Sequence, residues 1–245
     1  MKQLQFFLAF FFLTILASAQ TRFLNTVKIE FEKTVYMRQF YKELYPPQTY
    51  EMVKNQIPET SISYFDFIGD STKSIFEPGK QSAYDPRSWR PLANENVVYN
   101  DYRKKKLVSQ KPVYEETFLV EDSLKKIDWK LTADTRIIAG FECRKAIGIL
   151  HDTIAVFAFY TDEIMIPGGP ESINGLPGMI LGMGVPRLHT TWFATKVEVN
   201  GVNINSVAPA TKGKKVNYKT MIKSIDDVLK NWGNYGRGMI INFII

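Results

Sequence analysis

From Val27 onward apolar and polar residues alternate, with Val27, Ile29 and Phe31 set against Lys28, Glu30 and Glu32. That period is the signature of a strand with one wet face, so "TVKIEFEKTVYMR" predicts a strand near the start of the mature chain. Pro46-Pro47 suits the opening of a short helix and Pro58 its limit, because proline fixes φ and lacks the N–H that a helix interior needs. "SISYFDFIGDSTKSIFEP" predicts two short strands around Gly69-Asp70. Residues 78 to 96 hold three prolines and little periodicity, which predicts a long loop.

From Val97 the β signal becomes dense. "VVYND", "KLVSQKPVYEETFLV", "KIDWKL", "RIIAGFECRKAIGIL" and "TIAVFAFYT" follow one another with polar or glycine breaks, the spacing of an antiparallel meander. His151-Asp152 reads as a hairpin turn. In the strand after it, Ile154, Val156 and Ala158 point one way and Ala155, Phe157 and Phe159 the other, so both faces have to be covered. "MILGM", "LHTTWFATKVEV" and "VNINSVA" continue the strand pattern, with Asn200-Gly201 as a hairpin turn.

"TMIKSIDDVLKNWG" changes the period. Met221, Ile222, Ile225, Val228, Leu229 and Trp232 recur at helical spacing, between Thr220 as an N-cap and Gly233 as a stop. The closing "GMIINFII" predicts an edge strand that needs cover. The expected fold is therefore mainly β (α+β), a single domain over residues 20–245. It is a curved antiparallel sheet or partial barrel with a C-terminal helix packed on it.

Residues 1–19 add an address. Lys2, the apolar run "FFLAFFFLTILA" and Ala17-Ser18-Ala19 have the pattern of a cleaved secretory signal peptide, and the run is shorter than the ~20 residues of a membrane span. Secretion to the periplasm or the outer-membrane surface is expected, with no transmembrane segment in the mature chain. Cys143 is the single cysteine, so no intramolecular disulfide forms, and burial is the simplest place for its thiol. The formal charge of +6 gathers partly in "RKKK" and "KGKK". Basic residues interleaved with aromatic platforms are missing, so nucleic acid is not an expected partner.

The chain has two histidines and no HExxH, GxSxG or CxxC motif, so the expectation is a non-enzymatic protein without a cofactor. Three readings of its role stay open. A sheet with one helix to cover it could keep an apolar concavity for a hydrophobic ligand, with Phe157, Phe159, Tyr160, Met183 and Trp192 as the candidate pocket. Cys143, His151, Met183 and His189, with Met165 and Met179 nearby in sequence, include the soft ligands that copper(I) favours. The basic runs and the 78–96 loop could instead be the contact surface of an accessory to an outer-membrane transport or secretion system.

Residues 174–181 read "NGLPGMIL". Pro177-Gly178 suits the central positions of a type II turn, which would deliver Met179-Ile180-Leu181 into the sheet beside the Phe157 to Tyr160 strand. Gly182 and Gly184 leave one face of that stretch bare, where a backbone or ligand could come close. The same residues carry a resemblance. "GLPGMIL" resembles the signature of the GLPGLI family of secreted Bacteroidota proteins, here Gly175, Leu176, Pro177, Gly178, Met179 and Ile180. "AGFECRKA" resembles its Gly-Tyr-x-Cys-x-x-Ala element through Gly140, Cys143 and Ala146. Tyr160, Thr161, Pro167, Gly169 and Pro170 match the elements that lead into the signature. The resemblance covers about residues 135 to 184. It departs at Phe141, Phe159 and Met179, where the family has tyrosine, tryptophan and leucine, and it carries no catalytic residue across. The expected function is a binding or cell-envelope accessory protein for a hydrophobic ligand or an envelope partner.

Overall fold

The computed structural model describes residues 24–80 and 92–245; the signal-like segment and the middle of the proline-rich loop lie outside the described residues. In chain order the elements are β1 (Thr26–Val35), α1 (Met37–Leu44), α2 (Pro47–Val53), β2 (Ser61–Asp70), β3 (Lys73–Pro78), β4 (Val97–Asp101), β5 (Lys106–Val113) and β6 (Glu116–Ser123). They continue with β7 (Trp129–Ile138), β8 (Phe141–Leu150), β9 (Ile154–Thr161), β10 (Met179–Val185), β11 (Thr190–Glu198), β12 (Lys214–Val216), α3 (Tyr218–Leu229) and α4 (Gly233–Ile240).

Among the described residues the strands form one twelve-stranded sheet in the order β12-β6-β5-β4-β3-β2-β1-β11-β10-β9-β8-β7. Only the β12–β6 pairing is parallel. The sheet is open, with β12 and β7 as its edges, and the mainly β class with a C-terminal helix is as expected.

Side-chain alternation decides which face is inside. Val27, Ile29, Phe31, Lys33 and Val35 of β1 are buried while the residues between them are partly exposed. Phe31 lies opposite Phe65, Ile29 opposite Phe67, and Phe67 opposite Phe76. These rings share one core with Ala146, Val156 and Ala158 of β8 and β9. Strands as far apart in the order as β3 and β8 meet in that core because the sheet twists and curls on itself.

The concave side is filled by the chain itself. Between β9 and β10, Ile164, Ile166, Ile173 and Leu176 enter the main core, and Gly168 packs so closely that a Cβ there would lie 2.3 Å from the Tyr102 hydroxyl. The C-terminal residues complete the filling, with Ile241 and Ile245 in the main core and Met239 and Phe243 in a second one under α1 and α3.

Two expectations are corrected here. "VNINSVA" is a loop with a short 3-10 turn over Ile204–Ser206. "GMIINFII" is helical, with α4 running into a 3-10 turn at Ile241–Phe243. Its apolar residues serve that shape equally well, since 239/243 and 241/245 are each four apart and share a helical face. Helix α3 forms where its period predicts, but Asn217 is its cap, its side chain accepting the Thr220 N–H at 2.8 Å. Helix α1 is absent from the sequence reading, because its aromatic residues continue the strand-like pattern of β1.

Candidate functional site

The five residues of the candidate pocket divide between the two faces of the sheet. On β9 and β10, Phe159 lies opposite Gly182 and Phe157 opposite Gly184, whereas Met183 lies opposite Ala158 on one side and Trp192 on the other. Tyr160, Met183 and Trp192 therefore face the core, and Phe157 and Phe159 face outward. The stripe left bare by the two glycines is already occupied, since a Cβ on Gly184 would sit 2.1 Å from the Phe157 ring and one on Gly182 2.7 Å from Phe193. No common cavity joins the five.

The soft-metal residues are likewise apart. Cys143 is buried in β8 opposite Arg136 of β7, while Met183 lies on β10 between Ala158 and Trp192. His151 turns the β8–β9 hairpin eight positions further along, about 26 Å at the rise of a strand. That distance also separates the thiol from a histidine base. His189 pairs with Glu43 at 3.0 Å. Among the described residues no three His, Cys, Asp or Glu side chains come together as a metal site.

The Cys143 thiol is fully buried, and burial, reinforced by the Glu163 carboxylate, pushes it up to about 12. The folded protein is expected to resist iodoacetamide at pH 8 and to label fully in denaturant, as read by mass. Labelling at equal rates in both states would contradict a buried thiol.

The matched motif positions have structural work. Gly140 carries a φ of 87° in the β7–β8 turn. Ala146 lies opposite Ala158, and a Cβ on Gly169 would meet that of Ile180 at 2.8 Å. Gly178 donates to the Leu176 carbonyl at 2.8 Å, a turn about Pro177 one residue tighter than the type II expected. It does deliver Met179 and Ile180 opposite Thr161 and Tyr160. Pro167, Gly169, Pro170, Leu176 and Thr161 belong to the buried filling or its border.

What the sequence reading missed is a row of amines in the interior. Lys33 of β1 and Lys111 of β5 are 4% and 2% exposed. The Lys33 ammonium donates to the Ala93 carbonyl at 2.9 Å and stands over the Trp192 and Phe65 rings at 5.5 and 5.7 Å. Lys111 donates to the Phe243 carbonyl at 3.1 Å and to the main-chain oxygen of Ile245. Lys125 donates to the Ile244 carbonyl at 2.7 Å, which Tyr218 also reaches. Tyr218 in turn stacks on His151, ring centroids 5.1 Å apart, with its hydroxyl 3.0 Å from the imidazole.

Burial dominates the chemistry of these groups. It lowers Lys33 and Lys111 to about 8, against the opposing pull of the Glu171 carboxylate, and it lowers Lys125 as well, helped by Lys111. His151 is lowered by burial and by Lys125. Glu171, 1% exposed, accepts from Asn96 at 3.1 Å. The space beside Lys33, Glu171, Thr190 and Trp192 is about 20 Å³, room for one water and no more. The clue in the sequence was positional: Lys33 and Lys111 occupy inward steps of alternating strands.

Fold and interior together define an open antiparallel β domain whose concave side is closed by its own chain. A family described as the N-glycanase peptide, N-terminal domain, of the PNGase F-II type, matches residues 93–227. That is more than half of the chain, and the chain belongs to this family. Its fold is similar to that of PNGF-II solved in a C2 space group, with a TM-score of 0.52, 15% identity, 86% of this chain covered and 33% of that one. A P21 form of PNGF-II gives 0.52, 16%, 86% and 34%. The chain thus spans about a third of the length of the solved structures it matches. No curated protein matches it.

Proposed function

We propose that the chain is a secreted, non-catalytic recognition domain of the cell envelope that presents its outer surface to glycan-bearing proteins. The observation that carries this reading is the closed interior: with about 20 Å³ beside the buried lysines, a ligand of any size meets the outside of the sheet. Membership in a family described by the N-terminal domain of an N-glycanase supports the glycoprotein as the ligand class. The signal-like residues 1–19 and the resemblance to the GLPGLI family support the envelope address. A carrier of hydrophobic ligands would need the pocket that the five candidate residues do not form, and a copper protein would need ligands that here stand apart. The same family membership favours a second reading, in which the chain takes part in removing N-glycans.

The experiment is capture of an N-glycoprotein, ribonuclease B, on the immobilised chain, beside its enzymatically deglycosylated form. The expected result is retention of the glycosylated form alone with its mass unchanged. Release of free glycan would replace recognition by catalysis. Equal retention of both forms would move recognition from the glycan to the polypeptide, and no retention would overturn the reading.

A further inference from the structure

The outer face of β1, β2 and β11 carries a cleft of about 160 Å³ walled by Lys28, Glu30, Asp66, Lys80, Lys196 and Glu198. Strand register assembles it. Lys28 lies opposite Glu198 and Glu30 opposite Lys196 across β1–β11, while Glu30 lies opposite Asp66 across β1–β2. Lys28 pairs with Asp66 at 2.8 Å, Lys80 with Glu30 at 2.9 Å, and Lys196 with Glu198. Thr195 donates its hydroxyl to Glu30 at 2.7 Å.

Two features set this apart from an ordinary surface ion-pair network. Glu30 and Asp66 are like charges placed directly opposite each other, an arrangement that costs stability in a sheet. They are also the most recessed groups, 23% and 22% exposed against 38% for Lys28, 41% for Glu198, 54% for Lys80 and 65% for Lys196. In addition, β1 carries a bulge against β11 between Glu30 and Phe31, the irregularity that re-aims side chains beside binding sites. The result is a floor of two carboxylate acceptors, Glu30 and Asp66, ringed by three ammonium donors and the more exposed Glu198 carboxylate.

That arrangement selects a chemistry. Three carboxylates and three ammoniums sum to zero, so neither an anion nor a metal cation is favoured. A hydroxyl can donate to the floor and accept from the rim at once. One water needs roughly 15 Å³ by the same measure, so the cleft holds several, the number a single sugar ring displaces. Lys80 stands 4.1 Å over the Tyr64 ring, and its displacement would bare that ring for stacking on a sugar's C–H face. We infer that the cleft is a subsite for a neutral, polyhydroxylated pyranose. The inference rests on the recognition reading above and names its contact point.

Saturation-transfer NMR of the mature chain with N-acetylglucosamine, mannose, galactose and fucose tests it, with glycine as a zwitterionic control. Wild type is expected to transfer to at least one sugar with a Kd on the order of millimolar, weakened about tenfold in Asp66→Asn and in Lys196→Ala. Thermal unfolding establishes that both variants fold, and Ile147→Ser, on the outer face of β8, is expected to bind like wild type. Transfer to no sugar, to glycine alone, or equally in wild type and both cleft variants would overturn the subsite. Ribonuclease B capture separates the two levels. Capture that survives Asp66→Asn leaves the recognition reading standing and removes the subsite, whereas a wild type that captures nothing removes the reading itself.

Discussion

Gly178→Ala is expected to lower stability by more than about 3 kcal/mol, or to prevent folding. The residue has a φ of +152°, and a Cβ there would lie 2.1 Å from the Thr161 carbonyl oxygen and 2.8 Å from its carbon. Both atoms belong to the backbone of β9, and no side-chain rotation can relieve the overlap. Either β9 and β10 separate or the turn about Pro177 opens, and each releases Met179 and Ile180 from the core. Gly201→Ala is the control. Its φ is +71° with nothing within 4 Å, so only left-handed strain of about 1 kcal/mol remains. Urea unfolding with an unchanged slope measures both. A Gly178→Ala protein as stable as Gly201→Ala would show that the close approach is not real.

The interior lysines make stability rise with pH across a range where most proteins lose it. Lys33 and Lys111 sit at about 8 when folded, against the ordinary 10.5. Between those values the unfolded chain holds two protons that the folded one has released, so stability increases with pH. Below about 8 both states are protonated and the burial penalty is felt in full; above about 10.5 it is gone. Each amine contributes about 3 kcal/mol to the rise, at about 1.4 kcal/mol per pH unit. Tyrosines limit it from above. Burial raises Tyr41, Tyr102 and Tyr218, so their contribution is lost once unfolded tyrosines ionise near pH 10. Stability is therefore expected to peak at about pH 9 to 10, as read by urea midpoints from pH 7 to 11. The Lys33→Met/Lys111→Met double variant is expected to flatten the rising limb. A wild-type profile already flat there would mean that the amines keep their protons inside.

Much of the fold was legible because the sheet obeys its own alternation. β1 could be read from period two, β2 and β3 from the turn at Gly69-Asp70 between them, β9 from a run apolar on both faces, the hairpin at His151-Asp152 from its turn residues, and α3 from its apolar stripe. What stayed hidden depended on partners far away in sequence. "GMIINFII" has the local pattern of a strand, yet Lys111 and Lys125, more than a hundred residues earlier, take up its carbonyls. Phe157 and Tyr160 look alike as apolar residues of one strand, but parity sends them to opposite faces. The buried lysines were visible as inward steps and passed over because charge usually marks the wet side. The outer cleft was hidden for the opposite reason: its charges fit a solvated face, and only register brings β1, β2 and β11 together around them.

The place of β1 in the sheet bears on how the protein is made. It is the first strand of the described chain, yet it lies at the centre, hydrogen-bonded to β2 on one side and to β11 on the other. β11 begins at Thr190, so a chain emerging N-terminus first can build β1 to β6 as neighbours while one edge of β1 waits. Closure across so long a loop is a high-contact-order event and correspondingly slow. Until Glu198 has been made, the unpaired central edge of β1 is open to wrong strand pairing.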